Sequence, residues 1–222
     1  MSMYLESRLS NFISLVKPAK ELATKAHKGV YRNGKDVSGN KLEYITHPEA
    51  VAKIVQNLKS SKYIAALIAA AYLHDTVEDT EVTYDTIRSI YGQDIIDKIP
   101  VDDIDKENII ELIVSLVHEL TSDPEEIKRI GKEAHLTKKM LHMSSWALVI
   151  KLADRFHNLS DIESKLSGSK SDIKWAVKYS TQTKNIIDTL ERKRRLSATQ
   201  KQLICLIKDR ISPALSIDMC SI

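Results

Sequence analysis

One histidine and three carboxylates follow a long apolar run near residue 70. Residues 64–71 are all Ile, Ala or Leu, and His74, Asp75, Glu78 and Asp79 occur within the next eight positions. Residues four apart share a helix face, so His74 would lie beside Glu78, and Asp75 beside Asp79, if the helix continued. Buried carboxylates are costly unless a cation compensates them. Imidazole with carboxylate suits manganese, iron or zinc, and a solvated helix end with an incidental histidine is the alternative.

Two further motifs supply candidate partners for this cluster. His47 lies in the sequence YITHP, at the expected start of a helix, where a capping or surface histidine is the alternative. The apolar segment ALVIKLA ends in Asp154, and Asn158 follows four residues later on the same helix face. An ordinary ion pair of Asp154 with Lys151 or Arg155 is the alternative there. The residue types therefore allow a metal site that draws on three segments of the chain.

The elements that position these residues are predicted to be helices almost throughout. The chain has 222 residues, of which 43% are apolar and 28% charged, as in a globular protein. Apolar residues recur at spacings of three and four, and we find no strand-like alternation longer than a few residues. We expect one all-α domain over residues 1–195 with a helical extension over 196–222. The predicted helices cover about 5–28, 62–74, 83–91, 105–120, 146–162, 170–195 and 198–206 or beyond, with further starts at 47 and 123.

Residues 29–41 are predicted to be a long loop between the first two helices. The segment is polar and holds three of the six glycines in the chain. Long loops in compact domains are often functional. The basic residues of this segment are therefore candidates for binding a substrate.

Charge and composition narrow the classes of partner. The net charge of +3 is too small to indicate a nucleic-acid or membrane partner. No apolar run has the length that crosses a bilayer, and the charged residues among the first 20 argue against a signal peptide. Cys205 and Cys220 match no zinc spacing and are expected to be reduced thiols. We therefore expect a cytoplasmic protein.

Taken together, the motifs resemble one family. His47, then His74-Asp75, then Asp154 resembles the H…HD…D signature of HD-domain metal-dependent phosphohydrolases. YITHP, LHDTVEDT and KLADRFHN are similar to the hydrolase motifs of the RelA/SpoT-homologue family, which degrades the alarmones ppGpp and pppGpp. HDTVEDT is the most specific of these. The similarity covers about residues 20–190 and leaves no room for synthetase or regulatory domains, so the chain is most similar to the stand-alone small alarmone hydrolases, including the metazoan SpoT-homologue type.

The resemblance implies a role for each of ten residues. It implies an HD-domain fold with one manganese ion held by His47, His74, Asp75 and Asp154, and an acidic pair, Glu78 and Asp79, that activates water. The substrate-binding residues that it implies are Arg32, Lys35, Asn158 and Tyr179. The loop departs from the family pattern because it is a residue or two longer, and Asn33-Gly34 separates two basic residues that are adjacent in the metazoan type.

The implied reaction is hydrolysis at the 3′ position of a small nucleotide. ppGpp would yield GDP and pyrophosphate, and pppGpp would yield GTP and pyrophosphate. The chain has no Walker-type Gly-Lys-Ser/Thr sequence, so ATP is not expected to take part. Two alternatives stay open: an HD phosphohydrolase for an adenosine alarmone, NADPH or a nucleoside monophosphate, and a non-catalytic alarmone-binding module. Residues 197–222 would form either a cap or the dimerisation helix of a homo-oligomer.

Overall fold

Helices dominate the protein, as the sequence predicts. The computed structural model describes residues 2–35, 39–92, 95 and 106–217, with the backbone alone for 2–12, 33–35, 106 and 107. The chain divides into two compact units, Met1–Thr121 and Ser122–Ile222. The predicted all-α class is confirmed, while the predicted domain boundary after residue 195 stays a prediction.

The first unit is built around one apolar helix. Its elements are α1 (Ser2–Ala26), β1 (Tyr31–Lys35), β2 (Lys41–Glu43), α2 (Thr46–Leu58), α3 (Ile64–Leu73), α4 (Thr76–Asp79), α5 (Tyr84–Ser89) and α6 (Lys106–Leu120). α3 packs against α1, α2 and α6. Residues 65–71 are each at most 7% exposed, because Ala, Leu and Ile on every side of a helix allow it to be buried on every side. The unit therefore holds the carboxyl end of α3 at a fixed place.

The segment predicted as a loop, residues 29–41, contains most of a short hairpin, so that prediction is wrong for residues 31–35 and for Lys41. β1 and β2 pair antiparallel, with Tyr31 opposite Glu43. Gly29 has a φ of 81°, which lets the chain reverse after α1. The backbone of Tyr44 then donates to the carbonyl of Val30 at 2.9 Å. Strands of five and three residues are too short for a period-two pattern to stand out in a sequence. Residues 36–38 lie outside the described residues.

The second unit is a set of packed helices. Its elements are α7 (Pro124–Ile130), α8 (Lys132–His142), α9 (Ser145–Asn158), α10 (Ile162–Leu166), α11 (Lys170–Lys193) and α12 (Ala198–Leu215). α12 packs against α9, α10 and α11, and α8 packs against α7 and α11. α8 is absent from our predictions because its sequence is mostly polar. Residues 198–215 are thus an integral part of this unit, and residues 218–222 lie outside the described residues.

Side-chain caps set several helix starts in the second unit. Asp123 accepts hydrogen bonds from the backbone of Glu125 and Glu126, and Ser144 accepts one from the backbone of Ala147 at 3.2 Å. Such caps satisfy amide donors that have no partner within the helix. They explain why the starts predicted near 123 and 146 agree with the structure to within one residue.

Two further features of the described residues concern membrane spans and thiols. Among them, no helix combines the length and apolar character required to span a bilayer. Cys205 is an exposed free thiol, and Cys220 lies outside the described residues.

Candidate metal centre

A two-residue turn separates α3 from α4. α3 ends at Leu73, and His74 and Asp75 form a turn before the single helical turn of α4. The Thr76 hydroxyl donates to the carbonyl of Leu73 at 2.8 Å, and the Asp79 amide donates to the carbonyl of Asp75 at 2.9 Å. The four-residue spacing assumed one continuous helix through the motif, whereas the structure has two helices with a turn between them. The turn brings the adjacent side chains of His74 and Asp75 together.

His47, His74 and Asp75 form a compact cluster in the first unit. Their three potential ligand atoms lie within 4.8 Å of one another. Asp75 Oδ2 is 3.0 Å from His74 Nε2 and 3.5 Å from His47 Nε2. Both histidines are 1% exposed. His74 Nδ1 lies 2.8 Å from the carbonyl of Ala71, so a proton on Nδ1 leaves the Nε2 lone pair directed into the cluster.

The donor set of this cluster fits a divalent metal. Two imidazole nitrogens and a carboxylate oxygen are typical ligands of first-row transition metals. The turn at His74 and Asp75 supplies two of these donors, and the first turn of α2 supplies His47. Three protein ligands would leave coordination positions for a further residue, water or substrate.

The predicted catalytic acids lie on α4, beside the cluster. Glu78 and Asp79 are exposed residues. The pKa of Asp79 is raised above its ordinary value, first by the lost hydration of its carboxyl group and then by repulsion from Asp75. A carboxylate whose pKa is raised is a better proton acceptor than an ordinary one.

Two aromatic residues that we did not predict as site residues complete this region. The hydroxyl of Tyr44 donates to Asp75 Oδ2 at 2.7 Å and has a second contact with Asp79 Oδ2 at 3.2 Å. The ring of Tyr44 packs on His27 with the centroids 4.5 Å apart. His27 is 3% exposed, and its pKa is lowered, chiefly by burial. Tyr44 opens the YITHP motif, so the motif itself carried the signal.

The predicted substrate-binding cations of the first unit lie on the hairpin. Arg32 is a partly exposed residue of β1, and Lys35 is the last residue of that strand. The side chain of Lys35 is not among the described parts. A cavity of about 600 Å³ opens beside His27, and its lining is rich in lysine: Lys17, Lys20, Lys25 and Lys28. The lining also includes Glu21 and Glu43, and Lys17 and Lys20 pair with Glu21 and Glu49 at 3.9 and 2.6 Å, so part of the lysine charge is balanced.

The remaining predicted site residues lie in the second unit. Asp154 is 6% exposed on α9. Lys151 pairs with its Oδ2 at 2.9 Å, and Asn158 Nδ2 donates to its Oδ1 at 2.6 Å. The local ion pair that we considered as an alternative is therefore present. Both oxygens of Asp154 thus have protein partners, but each carboxylate oxygen can accept more than one contact, so the ion pair does not exclude a metal role.

Tyr179 lies in an aromatic stack on α11. Its ring is parallel to that of Trp175, with the centroids 5.2 Å apart and an angle of 6° between the planes. The guanidinium carbon of Arg155 is 5.2 Å from the centroid of the Tyr179 ring, and Arg155 Nη1 donates to the Thr183 hydroxyl at 2.7 Å. Trp175 is 44% exposed. Sequence reasoning missed Trp175 because a lone tryptophan in a polar helix carries no motif.

The comparisons with known proteins identify the family of the chain. A family model described as an HD domain matches residues 19–186. The chain belongs to the HD domain family, which confirms the resemblance drawn from the motifs and implies a divalent metal.

Two curated relatives and one solved structure are similar to this chain. It is 30% identical over 155 residues to the guanosine-3′,5′-bis(diphosphate) 3′-pyrophosphohydrolase MESH1 of Xenopus tropicalis, covering 70% of this chain and 73% of the frog enzyme. It is 31% identical to the Homo sapiens MESH1, covering 65% and 67% of the two chains. A solved structure of a metazoan orthologue of SpoT, described as hydrolysing ppGpp, matches with a TM-score of 0.59 and 21% identity over 90% of this chain and 94% of that one. The last match concerns the fold alone.

Proposed function

We propose that this protein hydrolyses the 3′-pyrophosphate of guanosine alarmones, converting ppGpp to GDP and pppGpp to GTP with release of pyrophosphate. The observation that carries the proposal is the cluster of His47, His74 and Asp75 with an acidic pair on the next helical turn. Among the described residues, this is the one group of three or more His, Cys, Asp or Glu side chains that could hold a metal ion. The MESH1 relatives of the chain are named for this reaction.

We propose Mn²⁺ as the metal and Asp154 as the fourth protein ligand. The two buried imidazoles and Asp75 are three clustered donors, and the resemblance to the family motifs supports Asp154 as the fourth ligand. When bound, the ion would lower the pKa of a coordinated water and stabilise charge on the reacting phosphate. The protein's own part is to fix the donors. The contact between His74 Nδ1 and the Ala71 carbonyl holds one imidazole in the required orientation.

Glu78 and Asp79 are proposed to orient the attacking water and accept its proton. Both stand on α4, one turn beyond Asp75. Because its pKa is raised, the Asp79 carboxylate is more basic than that of an ordinary aspartate. Water attacks the phosphorus next to the ribose 3′ oxygen, and the P–O bond to that oxygen breaks. The 3′ oxygen takes up a proton and becomes the 3′ hydroxyl of GDP or GTP, and the released pyrophosphate carries the oxygen of the water.

The proposed substrate-binding residues are those implied by the family motifs. Arg32 and Lys35 would contact the phosphates and the guanine, since cations bind phosphate through charge-assisted hydrogen bonds. Asn158 and Tyr179 are the other two proposed substrate contacts. Because the ring of Tyr179 already contacts Trp175 and Arg155, we expect it to meet the substrate as part of this stack.

The direct test is an assay of the purified protein with Mn²⁺ and ppGpp, with products separated by anion exchange. We expect GDP and pyrophosphate, and no turnover in excess chelator. Orthophosphate as the first product would indicate another HD phosphohydrolase, and tight ppGpp binding without products would indicate a binding module.

Arg32→Ala should raise KM more than it lowers kcat, because Arg32 holds substrate and transfers no proton. The cytoplasmic location and any homo-oligomer remain predictions.

A further inference from the structure

The hydroxyl of Tyr44 joins the side chain of the candidate ligand Asp75 to that of Asp79 in the acidic pair. This hydroxyl is 2.7 Å from Asp75 Oδ2 and 3.2 Å from Asp79 Oδ2. Asp75 Oδ2 is also the oxygen nearest to the Nε2 atoms of His74 and His47. The same carboxylate oxygen thus receives the phenol and faces both imidazoles.

The backbone and the ring of Tyr44 are both held in place. Its amide donates to the carbonyl of Val30 at 2.9 Å, and its carbonyl accepts from the amide of His47 at 2.9 Å. Its ring packs on His27 at 4.5 Å and meets the edge of His47 at 5.9 Å. A phenol fixed in this way aims its hydroxyl at the two carboxylates without further ordering, so little conformational entropy is lost when the contacts form.

A phenol has one proton to donate, and the two distances differ accordingly. The shorter contact is an ordinary O–H···O⁻ hydrogen bond to Asp75, and the longer one to Asp79 is weaker. A hydrogen bond to a coordinating carboxylate fixes the orientation of that ligand. The longer contact keeps the Asp79 carboxylate beside Asp75 although the two acids repel each other.

We infer that Tyr44 is a positioning residue with two separable effects: it orients Asp75 as a metal ligand, and it holds Asp79 next to the metal centre. The inference rests on the proposed function only for its kinetic part, because metal affinity is measured without ppGpp. Tyr44 itself transfers no proton in this account.

The first test is Tyr44→Phe, which removes the hydroxyl and keeps the ring on His27. We expect the affinity for Mn²⁺, measured by calorimetry without nucleotide, to fall about 10- to 100-fold. Tyr84→Phe is the matched control, because the Tyr84 hydroxyl makes no hydrogen bond to a described residue. The unfolding midpoint in chelator checks that Tyr44→Phe is folded. A folded Tyr44→Phe with the parent's Mn²⁺ affinity would overturn the first effect.

The second test uses Asp79→Asn as a background. At saturating Mn²⁺, Tyr44→Phe should lower kcat for ppGpp in the parent and leave KM within about twofold, the pattern of an interaction that matters after binding. In Asp79→Asn the same substitution should lower kcat no further, yet it should still weaken Mn²⁺ binding through Asp75. Equal kcat losses in both backgrounds would overturn the second effect. If neither parent nor variant hydrolyses ppGpp, the proposed function fails while the metal measurement still decides the first effect.

Discussion

The ends of α3 and α9 make an instructive pair, because each is an apolar helix that leads to an acidic residue. Asp75 lies among His47, His74 and Tyr44, with Asp79 on the next turn. Asp154 is paired with Lys151 and accepts a hydrogen bond from Asn158. Similar sequence patterns thus lead to different electrostatics: a group of acids in the first unit and a locally balanced acid in the second.

The difference indicates that, without a bound cation, electrostatic repulsion destabilises the acids of the first unit more than Asp154 in the second. In the first unit, repulsion from Asp75 contributes to the raised pKa of Asp79. In the second unit, the charge of Asp154 is offset by the ammonium group of Lys151, whose side chain is only 12% exposed. Replacing Asp75 should therefore remove repulsion within the first unit, whereas replacing Asp154 should destabilise the second unit.

The largest contrast is expected between Asp75→Asn and Asp154→Asn. Both should abolish Mn²⁺-dependent hydrolysis of ppGpp. In chelator, Asp154→Asn should lower the free energy of unfolding by about 3 kcal/mol, because it leaves a nearly buried ammonium group without its carboxylate. Asp75→Asn should change it by less than about 1 kcal/mol. Denaturant titration of both variants with a chelator measures the two values.

A double variant tests the cause of that loss. Lys151→Met in the Asp154→Asn background removes the uncompensated charge and keeps most of the side-chain volume, so it should recover most of the lost stability. It should restore no hydrolysis. Equal stability losses in Asp75→Asn and Asp154→Asn would show that the two regions do not differ as described.

The acidic pair of the first unit gives the next largest effect. Glu78→Gln keeps the size of the side chain and removes the base, so kcat should fall by about a hundred- to ten-thousand-fold. KM and Mn²⁺ content should stay nearly unchanged. Glu81→Gln, an exposed acid three residues further on, is the matched control and should behave as the parent. Loss of the metal from Glu78→Gln would mean that Glu78 is a ligand and the assigned role is wrong.

Much of the fold followed from periodicity and caps, whereas the site followed from motifs only in part. The long helices have apolar spacings of three and four and cap residues such as Ser144, so their positions could be predicted. The hairpin could not be, because its strands are too short to show a pattern. The contact between Tyr44 and Asp75 joins residues 31 apart in sequence, and only tertiary packing brings such residues together.

A smaller effect is expected from the pH dependence of the first unit. The pKa of Asp79 is raised in the folded protein above its ordinary value of 3.8. An acid with a raised pKa favours folding below the unfolded pKa, and that contribution is lost as pH rises through the folded pKa. In chelator, Asp79→Asn should therefore raise Tm by about 1–2 °C at pH 7 and not at pH 3. Thermal unfolding between pH 3 and 7 checks this, and a lower Tm at pH 7 would contradict it.

The smallest expected effect has the opposite sign and belongs to the second unit. Asp172 closes the capping box at the start of α11, and its pKa is lowered to about 2 by Lys165, which donates at 2.6 Å, and then by Ser169. A lowered pKa contributes stability above the unfolded value of 3.8, and that stability is lost as pH falls towards 2. Because the group is exposed, Asp172→Asn should lower Tm by only about 1 °C at pH 6 and leave it unchanged at pH 2.

Glu163→Gln is the control for this last measurement, since the exposed Glu163 side chain makes no ion pair with a described residue. Its Tm should follow the parent at both pH values.

Taken with Asp79→Asn, the experiment compares two single-charge deletions in one protein, and solvent screening affects both of them. Asp79 is repelled by Asp75, whereas Asp172 is stabilised by Lys165. If the two deletions moved Tm in the same direction at neutral pH, this contrast would not describe the two units. Opposite directions would locate the electrostatic cost beside the candidate metal centre, where an added divalent cation should then raise Tm in the parent more than in Asp79→Asn.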